Sequence, residues 1–205
     1  MARGTDTRKK IMDVAQDAVL AKGFDATSIE EIVANAEITK SGFFYHFRDK
    51  NALAHALIER HIIVEDALFD DVLGRGKELS DDPLQAALIG LKLLAELIED
   101  MPGGHPGCIV ATAVYQDRLF DRKVHEANRR AVQGWRARFQ AMFEEIAAFY
   151  PIRDDVALAH LADMVSAVVE GGLLMSRAMG DPKITAQQIL LMRSYVKLLF
   201  SPTAQ

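Results

Sequence analysis

Cysteine occurs once in the 205 residues, as Cys108, so an internal disulfide framework is excluded and a reducing, cytoplasmic setting is expected. Proline is nearly as scarce, at six, and with glycine it falls mainly between helical patterns. Sustained period-two alternation is missing, which excludes an extensive sheet. Long uninterrupted apolar runs are missing too: the stretch 158–179 is broken by His160, Asp163, Glu170 and Arg177, so no membrane span and no membrane partner is expected. The N-terminal MARGTDTRKK leads into no apolar core of a signal peptide. DDxxD and HExxH motifs and a phosphate-cradling glycine loop are absent, and His105 with Cys108 makes an isolated pair, poor for zinc. No catalytic residue, metal site or cofactor is therefore expected.

Half the residues are hydrophobic and 26% are charged, the balance of a globular chain with a proper core. The net charge of −5 is unevenly placed. Residues 1–60 hold nine Lys/Arg against nine Asp/Glu, while residues 61–205 hold fifteen against twenty. Arg3, Arg8, Lys9 and Lys10 cluster at the start, and Lys40, Arg48 and Lys50 around a second point. Local positive patches govern phosphate binding more than total charge does.

Helical periodicity runs the length of the chain, so the fold class is all-α, with about nine helices. A first helix from about Thr7 to Lys22 carries the stripe Ile11, Ala15, Ala18 and Val19 and stops at Gly23. A second opens on Thr27-Ser28-Ile29-Glu30, read as a capping box with Thr27 as cap. Asn35-Ala36-Glu37 makes a turn, and Thr39 caps a third helix from Lys40 to about His46. Two short helices with so brief a turn form a helix-turn-helix, whose second helix enters the major groove. Asp49 caps a long fourth helix with the stripe Leu53, Leu57, Val64, Leu68 and Val72, and Gly74-Arg75-Gly76 opens the loop after it. Pro83, capped by Asp82, starts the fifth; the sixth covers about Cys108 to Gln116.

A seventh helix, about Phe120 to Phe149, repeats Phe120, Val124, Ala127, Ala131, Trp135, Phe139, Met142 and Ile146 at three- or four-residue spacing. The eighth (about Asp154 to Met179, with Gly171-Gly172) and ninth (about Ala186 to Phe200, with Thr185 and Gln188 as a capping box) are apolar on more than one face. A helix apolar on two sides needs two packing partners, so a homodimer through these helices is expected beside the plainer reading of buried central helices.

The pattern Arg8, Ile11, Ala15, Gly23-Phe24, Thr27-Ser28-Ile29, Ile32, Ala36, Ile38, Lys40, Phe43 to Phe47 and Lys50 to Leu53 resembles the DNA-binding domain of TetR/AcrR-type transcriptional regulators. The resemblance covers about residues 7–55. It implies a DNA-binding domain over residues 1–53, an effector-binding and dimerisation domain over 54–205, a double-stranded and palindromic operator, a small apolar or electrophilic effector, and repression relieved by that effector. It also implies the reader residues. Thr27 and Ser28 would offer a phosphate hydroxyls and helix N-terminal N–H groups. Lys40, Ser41 and Gly42 would open the recognition helix, Tyr45 and His46 would contact phosphate or base, and Lys50 would clamp a phosphate. Phe43 and Phe47 are expected in the core. Glu37 stands where such regulators usually have glycine, and Ser41-Gly42 where they have glycine-threonine.

Met101, Cys108, Tyr115, Trp135, Phe139, Met142, Met164 and Met175 are candidate lining for an apolar effector pocket, each with the alternative of plain core packing. Cys108, at a helix start, is either a packed core residue or a thiol poised for oxidants and electrophiles. A helical enzyme and a protein-binding adaptor are the rival function classes.

Overall fold

The computed structural model describes residues 2–200, with side chains from Asp6 onward; Arg3 of the basic cluster lies outside those side chains. Among the described residues every regular element is helical: α1 Ala2–Lys22, α2 Ile29–Asn35, α3 Lys40–His46, α4 Lys50–Leu79, α5 Pro83–Glu99, α6 Ile109–Tyr115, α7 Arg122–Ala147, α8 Leu158–Met179 and α9 Ile184–Phe200, with a 3-10 turn at Asp117–Leu119.

The chain forms two compact units, and their boundaries differ from the expected break after residue 53. The first comprises Met1–Val64 with Pro106–Ala131, the second Glu65–His105 with Val132–Gln205. Each unit takes part of α4 and part of α7. Residues far apart in sequence thus pack beside the reader helices, which no local pattern announces.

The first unit closes over Ile11, Ala15, Val19, Phe24, Ile32, Phe43, Phe47, Leu57 and Ile58, together with Ile109 of α6 and Val124 of α7, all nearly or fully buried. Each such aliphatic or aromatic side chain contributes about 1.5–3 kcal/mol by leaving water. Val64, expected in the buried stripe of α4, is instead exposed beside Ile63.

In the second unit α5 packs on α9, and α9 on α8. Trp135, Phe139, Met142 and Ile146 of α7 are buried there as the periodicity predicts, and Phe143 is buried with them. Three local expectations change. Gly74-Arg75-Gly76 does not open a loop; α4 runs through it to Leu79. Gly76 is where α5 comes closest, and a Cβ there would collide with the Ala86 carbonyl. Thr185 does not cap α9 but lies inside it, buried, its N–H donating to Ser176 Oγ at 3.1 Å. Of the Gly171-Gly172 pair, Gly172 brings α8 against α9, since a Cβ would sit 2.9 Å from Thr185 Cα; Gly171 faces open space.

Helix α8 is long and apolar enough, at mean hydropathy 1.4, to cross a membrane by length and composition alone, contrary to the expectation that its charges exclude this. Asp163 within it is held by Arg136 at 2.6 Å. On α8 and α9 together, Leu174, Met175, Met179, Leu190, Leu191, Tyr195 and Leu198 are exposed.

Candidate nucleic-acid interface

The reader is built on two capped helices. Ser28 Oγ accepts from the Glu31 N–H at 3.1 Å, and Thr39 Oγ1 from the Gly42 N–H at 3.1 Å. Each satisfies one of the N–H groups that a helix start leaves without a partner. The cap of α2 is therefore Ser28, one residue later than expected. Thr27 is fully buried, with its hydroxyl donating to the Gly23 carbonyl at 2.8 Å. That removes Thr27 from the surface a phosphate can touch and makes it a structural pin of the turn between α1 and α2.

Between the two helices Glu37 adopts φ 53, the left-handed conformation. Without glycine there, the backbone carries a cost of roughly 1–2 kcal/mol. Its carboxylate is held by Lys10 at 2.8 Å, and that bond keeps it below the usual carboxylate range.

α3 divides cleanly. Phe43 and Phe47 are buried, as expected, and stabilise each other through tilted ring contact. Lys40, Ser41, Phe44 and Tyr45 are exposed, Gly42 and His46 partly so. Tyr45 is 83% exposed, too much for a core role, and its ring meets His46 edge-on at 5.0 Å. A Cβ on Gly42 would approach Thr39 Oγ1 to 3.2 Å, so glycine gives room to the cap itself. The Lys40 ammonium is paired with Glu30 of α2 at 2.7 Å, and Lys22 with Glu31 at 2.6 Å. These exposed pairs are worth little and exchange readily for a phosphate.

Lys50 begins α4, where Asp49 Oδ1 accepts from the Ala52 N–H at 2.7 Å. It is half-buried in a small cleft with Asp25, Asn51, Leu119 and Phe120. Burial lowers its pKa and the nearby Asp25 charge opposes that. Arg8 lies over the Phe47 ring at 5.1 Å, and Arg48 pairs with Asp49.

The eight candidate pocket residues divide between the two units. Cys108 and Tyr115 belong to the first unit, the other six to the second. Tyr115 is 84% exposed and Met175 about half. Trp135 and Phe139 are core, and Met101 and Met164 are half-buried. The second unit does hold a cavity of about 580 Å³ between α4, α5 and α7, and only Met142 of the eight lines it. Its walls are mixed: Leu73, Ala86, Ala87 and Met142 beside Arg138 (paired with Asp66 and Asp70) and Lys77 (paired with Glu145 at 2.7 Å). Ion pairs need no helical stripe, so the apolar pattern was blind to them. Cys108 caps α6, its Sγ accepting from the Ala111 N–H at 3.4 Å and lying 3.7 Å from His61 Nε2.

Two capped short helices joined through residues 36–39, with an exposed polar and aromatic face on the second, define a helix-turn-helix protein of the DNA-reading class. Residues 11–57 match the model of bacterial regulatory proteins of the tetR family. Residues 11–57 thus carry a helix-turn-helix domain of the TetR type. It is 29% identical over 72 residues to the HTH-type transcriptional repressor NemR of Escherichia coli (strain K12), a match covering 35% of this chain and 36% of NemR. It is 25% identical over 175 residues to the HTH-type transcriptional repressor DhaR of Mycobacterium sp. (strain GP1), covering 85% and 83% of the two chains. The match thus spans about a third of NemR and most of DhaR. In fold it is similar to a TetR-family regulator from Agrobacterium tumefaciens (TM-score 0.79, 18% identity, 97% of this chain and 100% of that one) and to the reduced form of E. coli NemR (TM-score 0.77, 18% identity, 98% and 100%).

Proposed function

We propose that the chain is a cytoplasmic, homodimeric, ligand-responsive repressor of transcription and not an enzyme. The observation that carries this is the exposed Lys40-Ser41 and Tyr45 face on a helix anchored from behind by Phe43 and Phe47. Base-edge contacts come from α3, and phosphate contacts from the Ser28 start of α2, Lys40 and Lys50. Two such readers about 34–36 Å apart reach successive major grooves of a palindromic duplex. The exposed apolar residues of α8 and α9 are the homodimer face.

The effector enters the cavity between α4, α5 and α7, whose volume lies within the 300–1,000 Å³ usual for small-ligand sites. Its mixed walls favour a molecule with an apolar body and a polar end over a purely apolar one. Because α4 starts at Lys50 and also lines the cavity, it is the lever; a hundredfold release from DNA requires about 2.7 kcal/mol of coupling.

The test is selection of bound duplexes from a random pool, followed by a screen for compounds that release them. Recovery of a palindrome bound in a salt-dependent way supports the proposal. Absence of duplex binding returns the chain to the enzyme and adaptor classes. A second reading concerns Cys108, whose Sγ receives a helix-start N–H and lies near His61. If it senses oxidants or electrophiles, Cys108→Ser abolishes release by them; unchanged release makes it a packed core residue.

A further inference from the structure

The connection between α6 and α7 holds the reader at two separate points. Gln116, the residue after α6, extends its amide across the turn between α1 and α2. Oε1 accepts from the Phe24 N–H at 2.7 Å, and Nε2 donates to Asp25 Oδ1. That hydrogen bond and the Ala26 N–H keep Asp25 below the usual carboxylate range. Five residues on, the Asp121 N–H donates to Asn51 Oδ1 at 2.9 Å, in the first turn of α4. Between these points Phe120 meets the buried Phe24 ring edge-on at 4.9 Å. Gly23 has φ +90, and a Cβ on it would lie 2.9 Å from Gln116 Nε2. The turn is shaped to receive that amide. Only a group with one acceptor and one donor satisfies both the backbone N–H and the carboxylate.

The two ends of the grip are the two places from which the reader is oriented. Residues 23–25 precede Thr27 and the Ser28 cap of α2; Asn51 follows Lys50. We propose that Gln116, about ninety residues from the turn it holds and outside the sequence of the reader, is a positioning residue for DNA binding, its amide setting the α1–α2 turn while the Asp121 N–H holds the start of α4, in the geometry that grips phosphate. This rests on the DNA-binding reading above. Because the grip consists of partly exposed hydrogen bonds, each net worth is small, and a modest shift of the connection releases it. Asp25 then loses its side-chain partner, and its carboxylate, which lines the same cleft as Lys50, is left to compete with phosphate for that cation.

The experiment uses the full chain and its selected duplex, at fixed salt. Gln116→Glu keeps the acceptor for Phe24 but sets a second carboxylate against Asp25, so the grip opens; affinity falls about tenfold, within the usual range of coupling between sites. Asp25→Asn alone keeps the grip, because the amide oxygen still accepts. The double variant Asp25→Asn with Gln116→Glu restores one donor opposite one acceptor and recovers affinity to within about twofold of Asp25→Asn. A plain packing role would not respond to this exchange of groups.

Amide hydrogen exchange of residues 117–121 is the second readout. By reciprocity of linkage, duplex binding slows it in the wild-type chain and in the double variant, and not in Gln116→Glu. If Gln116→Glu does not fold, Gln116→Met, which removes both bonds at similar volume, takes its place. Wild-type affinity and exchange in Gln116→Glu (or in Gln116→Met where that replaces it), or no recovery in the double variant, overturn the proposal. A wild-type chain that binds no duplex overturns the DNA-binding reading instead.

Discussion

At the residue scale, neighbours in sequence have opposite duties. Thr27 is buried with a spent hydroxyl, and Ser28 is exposed as the cap of α2. Thr27→Val is expected to cost about 1–3 kcal/mol of stability, the penalty for an orphaned buried partner, with operator affinity of the folded protein unchanged. Ser28→Ala costs about 1 kcal/mol through the lost cap and also weakens duplex binding. Chemical denaturation and anisotropy on the same samples separate the two; equal effects on affinity would contradict the assignment. Glu37→Gly relieves a left-handed backbone and is expected to raise stability by about 1 kcal/mol, the lost Lys10 pair being exposed and weak. Lys50→Ala lowers affinity for all duplexes alike and flattens the salt slope by about one. An unaltered slope removes Lys50 from the phosphate contacts.

At the scale of the element, two glycines of α4 make the contrast. Gly74 has open space where a Cβ would go, so Gly74→Ala gains about 0.5–1 kcal/mol of helix propensity. Gly76 lies against the backbone of α5, so Gly76→Ala forces the helices apart and is expected to cost more than 2 kcal/mol. Thermal unfolding with opposite shifts supports both; a neutral or stabilising Gly76→Ala refutes the packing role. Sequence reads a Gly-Arg-Gly run as a loop because glycine in mid-helix is unfavourable alone. What keeps α4 helical there is the neighbour that glycine admits. The seventh helix, by contrast, was legible from Val124 to Ile146, since its apolar residues recur there without interruption; Phe120, expected in its stripe, lies before it and closes the 3-10 turn. The start of α9 was not: its N–H group is met by Ser176 from α8, and a donor found across a helix pair leaves no local mark.

At the scale of the whole molecule, stability depends on pH, and the proposed dimer depends on the exposed face of α8 and α9. Burial, reinforced by the Glu170 charge and opposed by a hydrogen bond from Trp135, raises the Glu65 carboxyl from 4.5 to about 7. The folded chain therefore holds a proton that the unfolded chain releases, and stability falls as pH rises from about 4.5 to 7. Glu65→Gln is expected to flatten that decline, gaining about 2–3 kcal/mol at pH 8 and nearly nothing at pH 4.5. Denaturation across this range checks it, and an equal gain at both ends would exclude the titration. For assembly, Leu191→Glu on the exposed face of α9 is expected to yield monomers in sedimentation and to weaken duplex binding.

The all-helical fold, the caps at Thr39, Asp49 and Asp82, the turn at Glu37 and the division of α3 into buried and exposed aromatics were determined by sequence alone. Each follows from interactions within a few residues, where periodicity, caps and turn chemistry act. The joining of residues 106–131 to the reader, the grip of Gln116 on Phe24 and Asp25, the close approach at Gly76 and the charged walls of the cavity were decided only by tertiary structure. The physical reason is the same in each case. A side chain that finds its partner some ten to ninety residues away is selected by where the folded backbone brings that partner, and nothing in its own neighbourhood records the distance.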